Sequence, residues 1–262
     1  MKKITSIQQM RQQKIPKIQI PGIDQYLSLM KPFLFPTTSI IPRHLYTCWH
    51  TKDLPPLMKQ NYDFIVRNNP EMQVHLYDET ECRAFIQTHF QKDIVDAYDA
   101  LIPCSYKSDL WRFCVLYIQG GIYVDIKYKP INGFRFIGLT DKEYFVRDAD
   151  PENVYTALIV SMPRNVKLLQ CIQQIVENVK ARFYGNCPLE PTGPKLLKRY
   201  FTPKEKENMK LYHEYKENIN KYYIVYHDRI ILQFYPNYRE EQSKYQKKKR
   251  YIDLWIEKKI YA

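Results

Sequence analysis

Apolar positions recur along the chain in a strand, helix, strand, helix rhythm. Leu45 to Trp49 form a short apolar run between Pro42 and the polar loop HTKDLPP, which predicts a strand. Leu57, Met58, Tyr62, Ile65 and Val66 then follow at helical spacing up to Asn69-Pro70, and QVHLYD alternates as a half-buried strand. Two more helical stretches, ETECRAFIQTHF and KDIVDAYDAL, come next. SYKSDLWRFCVLYIQGG is the clearest helix, with Ser105 as its N-cap and the pair Gly120-Gly121 as its stop. In the strand after it, alternation sends Ile122, Val124 and Ile126 to a core and Tyr123, Asp125 and Lys127 to the other side. KEYFVRD and NVYTALIVSMP read as further strands, NVKLLQCIQQIVENVKARF as a long amphipathic helix, and TGPKLLKRYF as a helix begun by a glycine turn.

This order predicts an α/β fold with a mostly parallel central sheet flanked by helices, whose ligands sit outside the carboxyl ends of the strands. Residues 1–38 are basic and broken by Pro16, Pro21, Pro32 and Pro36, which predicts an extended N-terminal arm. Residues 39–262 are predicted to form a single domain ending in a Tyr/Lys-rich segment, without internal repeats.

Composition sharpens this picture at three points. The 262 residues are 45% apolar, enough for a sizeable core, and contain no run of about 20 apolar residues of the kind that spans a membrane. No apolar run follows the charged N-terminus, so a secretory signal is not expected and a cytoplasmic location is. Cys48, Cys82, Cys104, Cys114, Cys171 and Cys187 form no CxxC pair, which argues for reduced thiols rather than a zinc site. A net charge of +12 points to an anionic partner: a phosphorylated small molecule, nucleic acid or an anionic membrane surface.

The chemistry gathers in one segment. Asp109 and Arg112 are three residues apart on a helix and share a face, and the glycine pair brings that face close to the strand end carrying Asp125 and Lys127. KSDLWRFCVLYIQGGIYVDIKY resembles the region around the DXD motif of glycosyltransferase family 32 and the related glucosylating toxins. The agreement covers Ser108, Asp109, Arg112, Gly120, Gly121, Tyr123 and Asp125. IPRHLYTCWHTKDLPP is similar to the family's opening strand, PTGPKLL to its T-G-P segment, and NVYTALIVSMPRNVKLLQCI to the stretch after the DXD strand, with Thr156 where an Asn is frequent. The resemblance runs from about residue 39 to 200.

It implies a GT-A fold and a hexosyltransferase that uses a nucleotide-sugar donor, a UDP- or GDP-sugar, with retention at the anomeric carbon. By the same resemblance Trp49 stacks on the base, Asp109 and Arg112 hold sugar hydroxyls, and Tyr123 and Asp125 contact the ribose, Asp125 also lying near the diphosphate or a metal. Trp255 is a further candidate for closing over the donor. The departure is Lys127, where the family's second Asp binds Mn2+ or Mg2+. A fixed ammonium repels a cation and attracts phosphate, so Lys127, with Lys129 on the same side, is a candidate substitute for the metal.

Other readings of these residues stay open. Lys127 forms only an ion pair with Asp125, or a metal still binds through Asp125 and a C-terminal ligand such as His227. The other histidines, His44, His50, His75, His89 and His213, show no ligand spacing either. The run KYQKKKR is a solvated surface or a contact with anionic membrane. The rival function is a catalytically inactive relic that binds nucleotide sugar or glycan. A nucleic-acid partner is not expected, because the basic residues carry no recognised binding motif. The acceptor, whether glycan, protein or lipid, is not specified by the sequence.

Overall fold

The computed structural model describes residues 38–150, 152–216, 221–246 and 248–262, all within the unit Phe33–Ala262. The expected N-terminal arm, except Thr38, lies outside the described residues. Strand β1 (His44–Cys48) leads through helix α1 (Pro56–Asn68) to β2 (Gln73–Tyr77). Helices α2 (Glu79–His89), α3 (Lys92–Ala100) and α4 (Cys104–Gln119) follow, then β3 (Gly121–Val124). β1 pairs in parallel with both β2 and β3, the arrangement expected for strands joined by helical crossovers.

Beyond β3 the sheet departs from the expectation. β4 (Tyr128–Pro130), β5 (Tyr144–Arg147), β6 (Val154–Ser161), β7 (Leu211–Lys216), β8 (Lys221–Tyr226) and β9 (Arg229–Phe234) complete nine strands among the described residues, in the order β2-β1-β3-β6-β5-β7-β8-β9-β4. Only β5–β7 among the added pairs is parallel. The sheet is therefore mixed, not mostly parallel. The reason is that β7, β8 and β9 follow one another through short connections, and such connections force antiparallel neighbours. At the β8–β9 turn His227 and Asp228 both have positive φ, 47° and 60°, as a two-residue hairpin requires.

The sheet also curls. Four peptide steps, at most about 15 Å, separate Val124 in the third position from Tyr128 in the ninth. In a flat sheet those positions would lie roughly 29 Å apart. Curling brings β9 and the chain after it over the end of β3, and Tyr235 N–H donates to Lys127 O at 2.9 Å.

The remaining helices are α5 (Val166–Lys180), α6 (Pro194–Lys198), α7 (Pro203–Glu207), α8 (Tyr238–Tyr245) and α9 (Tyr251–Ile256). One core cluster packs α4 and α5 against the face bearing Tyr46, Tyr123 and Ile159; a second fills the opposite face with Leu45, Ile122, Val124 and Leu158. The alternation expected for β3 thus holds through Val124. Helix α4 begins two residues earlier than expected: its N-cap is Pro103, not Ser105, with no side-chain cap hydrogen bond. Its stop is as expected: Gly120 has φ +64°, and a Cβ there would stand 2.6 Å from Pro163. At Gly121 a Cβ would meet His44 O at 2.7 Å, so the two glycines let β3 lie against β1.

Candidate active site

The helix α4, the end of β3 and the α8–α9 segment enclose a cleft of about 290 Å3. Trp49, Arg112, Tyr123, Asp125 and Lys127 all line it. Arg112 is its hub. Nε donates to Ser108 O (3.2 Å), Nη1 to Thr156 O (2.8 Å) and Nη2 to Ser108 Oγ (2.8 Å). Nη1 also lies 3.3 Å from Asp125 Oδ1, and Nη2 3.3 Å from Asp109 Oδ1. The guanidinium covers the Tyr123 ring at 4.3 Å. Three hydrogen bonds and two ion pairs thus engage the guanidinium inside the protein. Burial alone would depress Arg112, but Tyr123, Asp109 and Asp125 outweigh it and hold the cation.

Asp125 does not stand on the strand as alternation predicts. β3 ends at Val124, and residues 125–127 form a turn closed by Tyr128 N–H to Asp125 O at 3.0 Å. The turn, rather than the two-residue repeat, brings Lys127 Nζ to 2.6 Å from Asp125 Oδ2. Tyr123 O–H donates to the other oxygen at 2.7 Å. Burial would raise Asp125, yet Lys127 and Arg112 overcome it and keep the carboxyl below the usual range. Burial would likewise lower Lys127, and Asp125, with Tyr155 and Tyr238, reverses the effect.

Aromatic rings surround the Lys127 ammonium. Its Nζ lies 5.3 Å from the Phe234 ring, 5.7 Å from Tyr128 and 5.8 Å from Tyr155. Behind Tyr155 the stack continues through His213 at 3.7 Å, Tyr222 and back to Phe234. Asp148 Oδ1, 2.8 Å from His213 Nδ1, fixes that imidazole. The rings and the Asp125 carboxylate thus both hold the ammonium head.

A divalent metal does not fit this arrangement. Both oxygens of Asp125 are engaged by protein donors, and an ammonium stands within bonding distance of Oδ2. Among the described residues no three His, Cys, Asp or Glu side chains converge as a ligand group. His227, in the hairpin turn, is not part of the cleft lining.

The other sequence candidates fall in different places. Asp109 is 7% exposed and lies behind Arg112, outside the cleft lining. Its Oδ2 accepts from Thr192 Oγ1 at 2.9 Å, which ties α4 to the TGP segment. Burial pushes its carboxyl up, with Arg112 and Thr192 offsetting part of the effect. Trp255 is also outside the lining: its indole N–H donates to Tyr184 O at 2.7 Å. From the same helix Tyr251 lines the cleft instead. Lys129 caps the Phe64 ring at 4.8 Å and lines a separate cavity.

Sequence reasoning missed the wall made by the α8–α9 segment, where Tyr238, Arg239, Arg250 and Tyr251 face the cleft. No carboxylate partner is found for Arg239 or Arg250 among the described residues, although both are cations on one wall. Cys48 was missed too. Its Sγ lies 3.0 Å from Ser108 Oγ, and its thiol is held low mainly by a hydrogen bond from Cys82 and also by Arg112, against burial. Only the motif's Ser108 carried a signal for that contact.

The Asp125 environment sets an acid limit on stability. Its folded pKa lies below the unfolded value, so the unfolded chain binds more protons between the two. The stabilisation is complete above the ordinary aspartate value, about 3.9, and is lost as pH falls through the lowered folded value. Urea midpoints measured from pH 7 downward should fall more steeply for the wild type than for Asp125→Asn; parallel curves would rule the contribution out.

Residues 55–144 match a family model described as the glycosyltransferase sugar-binding region containing the DXD motif. The chain is 24% identical over 89 residues to an uncharacterized glycosyltransferase of Acanthamoeba polyphaga mimivirus, covering 33% of this chain and 36% of that protein. It is 25% identical over 144 residues to inositol phosphoceramide mannosyltransferase 2 of Schizosaccharomyces pombe, covering 54% of this chain and 40% of that protein. These alignments span less than half the length of either relative. A solved structure, the PaToxG glycosyltransferase, superposes with a TM-score of 0.49 at 17% identity, over 68% of this chain and 74% of that one.

Proposed function

We propose, from the family 32-like glycosyltransferase assignment that the match at residues 55–144 supports, that this chain transfers a hexose from a UDP- or GDP-sugar without a divalent metal. The observation that carries the reading is the Lys127 ammonium, held 2.6 Å from Asp125 Oδ2 on the cleft wall. A diphosphate leaving group develops negative charge as the glycosidic bond breaks. A fixed cation placed there stabilises it with no reorganisation during the reaction. Lys127, Arg239 and Arg250 provide that charge, while Trp49 offers its ring to the base and Tyr123 and Asp125 face the ribose. Arg112 acts through the carboxylate it fixes, its guanidinium being engaged inside the protein. Asp109 positions Arg112.

We assign the curled mixed sheet to the GT-A class and expect retention, the outcome in the family it resembles. Transfer is front-face: the departing phosphate oxygen takes the proton of the acceptor hydroxyl. The name of the fission-yeast relative specifies mannosyl transfer to a sphingolipid; for this chain only the hexosyl class is proposed.

A second reading has one observation in its favour. The hub is satisfied without a ligand, as in a protein that binds a nucleotide sugar and does not turn it over. Hydrolysis of a panel of nucleotide sugars, with manganese, with magnesium and with excess chelator, separates the two. The proposal expects one donor hydrolysed equally in chelator. Turnover only with manganese sinks metal independence, and binding without turnover leaves the passive reading.

A further inference from the structure

We infer that the C-terminal face around α9 docks on the headgroup layer of a bilayer containing anionic lipid. Two large apolar side chains stand out on this face, Ile256 at 65% exposure and Ile102 at 39%. The C-terminal residues lie alongside residues 100–102, the N–H of Ile102 donating to Ile260 O at 3.0 Å and that of Ala262 to Ala100 O at 2.8 Å. Lys249, Lys258 and Lys259 are the cations nearest Ile256 along the chain, with Asp253 and Glu257 between them, whereas Lys248 pairs with Glu79 at 2.7 Å and Arg250 lines the cleft. Lys249 and Lys259 share Glu257, and their side chains remain 60% and 67% exposed.

The end of α9 is followed by two of these charges in succession. Lys258 adopts φ +55°, and Lys259 N–H returns to Leu254 O at 2.8 Å, closing the helix. Glycine or asparagine is favoured at such a position. Lysine there keeps the turn, with its ammonium 4.9 Å from the Trp255 ring and 4.6 Å from the Tyr184 ring.

Isolated apolar side chains among excess cations suit shallow insertion among lipid headgroups, where apolar burial and attraction to anionic lipid add. They do not suit a protein partner, which needs a contiguous apolar centre. The α9 segment also begins at the cleft, since Arg250 and Tyr251 line it. Docking therefore puts one rim of the cleft at the membrane surface. If the proposed transferase reading holds, on which this corollary rests, the acceptor hydroxyl belongs to a membrane-embedded amphiphile.

The test is sedimentation of the full chain with vesicles of phosphatidylcholine alone and of phosphatidylcholine mixed with phosphatidylserine. Binding is expected only to the mixed vesicles and should weaken as salt rises. Lys258→Asn combined with Lys259→Glu should weaken it about a hundredfold, and Ile256→Ser severalfold. Lys258→Asn suits the left-handed turn, so the fold is kept. No binding to mixed vesicles, or binding that these substitutions leave unchanged, overturns the inference. So does an Ile256→Ser protein that binds vesicles as well as the wild type while both bind soluble polyglutamate equally, because that is simple polycation behaviour. Donor hydrolysis without vesicles should be unaltered in both variants, which keeps failure of docking distinct from failure of the transferase reading.

Discussion

Turnover of the nucleotide sugar falls about 10²–10³-fold when Lys127 is replaced by alanine, and manganese does not restore it. The size follows from removing one preorganised positive group from the developing charge in a water-poor site. The ammonium is held by Asp125 at 2.6 Å and by the rings of Phe234, Tyr128 and Tyr155. Lys127→Met retains most of the stem packing and should lose activity to a similar extent, which separates charge from packing. Lys127→Asp places a second carboxylate beside Asp125. Like charges at that distance destabilise each other unless a cation joins them. This variant should therefore gain a manganese-dependent rise in melting temperature that the wild type lacks. Full turnover of Lys127→Ala in chelator would falsify the catalytic role, and a wild type stabilised by manganese as much as Lys127→Asp would restore a metal site.

Arg112→Ala is expected to lower folding stability by about 3–5 kcal/mol, because it strips the cation from buried carboxylates. Arg112 is 5% exposed and Asp109 7%. Removing the guanidinium leaves Asp109 Oδ1 without its ion pair and takes from the Thr156 carbonyl the Nη1 donor. Arg112→Lys should recover little, since a lysine's point charge cannot reproduce a planar group with five N–H donors. Urea denaturation at neutral pH gives the comparison. A loss below about 1 kcal/mol, the range of exposed ion pairs, would mean that Arg112 is a surface contact rather than the centre of the site. A loss of activity without a loss of stability would point instead to direct contact with the donor.

Several elements were legible in the sequence because their causes are local. The periodicity of Leu57, Met58, Ile65 and Val66 needed only the helix repeat, and α1 spans Pro56–Asn68. The glycine pair after α4 was readable because positive φ is a single-residue property, and Gly120 has it. The motif residues Ser108, Arg112, Tyr123 and Asp125 do meet, since fewer than twenty positions of chain and one tight turn connect them.

Other features were read for the wrong reason or not at all. Asp125 and Lys127 were expected to share a strand face, and they meet through a turn that ends the strand. Ser105 was expected to cap α4, where Pro103 takes the position. The three strands β7 to β9 were invisible in a segment whose tyrosines and lysines blur any alternation. The aromatic surroundings of Lys127 draw on residues 128, 155 and 234, distances along the chain at which pattern carries no information.

The sequence by itself determined the order of helices and strands up to α6 apart from the three-residue β4, the acidic and basic residues of the motif, and the excess of positive charge, because each depends on residue type or short-range periodicity. The tertiary structure decided the mixed sheet, its curl, the cleft wall contributed by α8 and α9, and the seat of the Lys127 ammonium. Those depend on which distant strands pair. Pairing is settled by burial across the whole sheet and by the reach of the three-residue link from β3 to β4, a balance that no local segment contains.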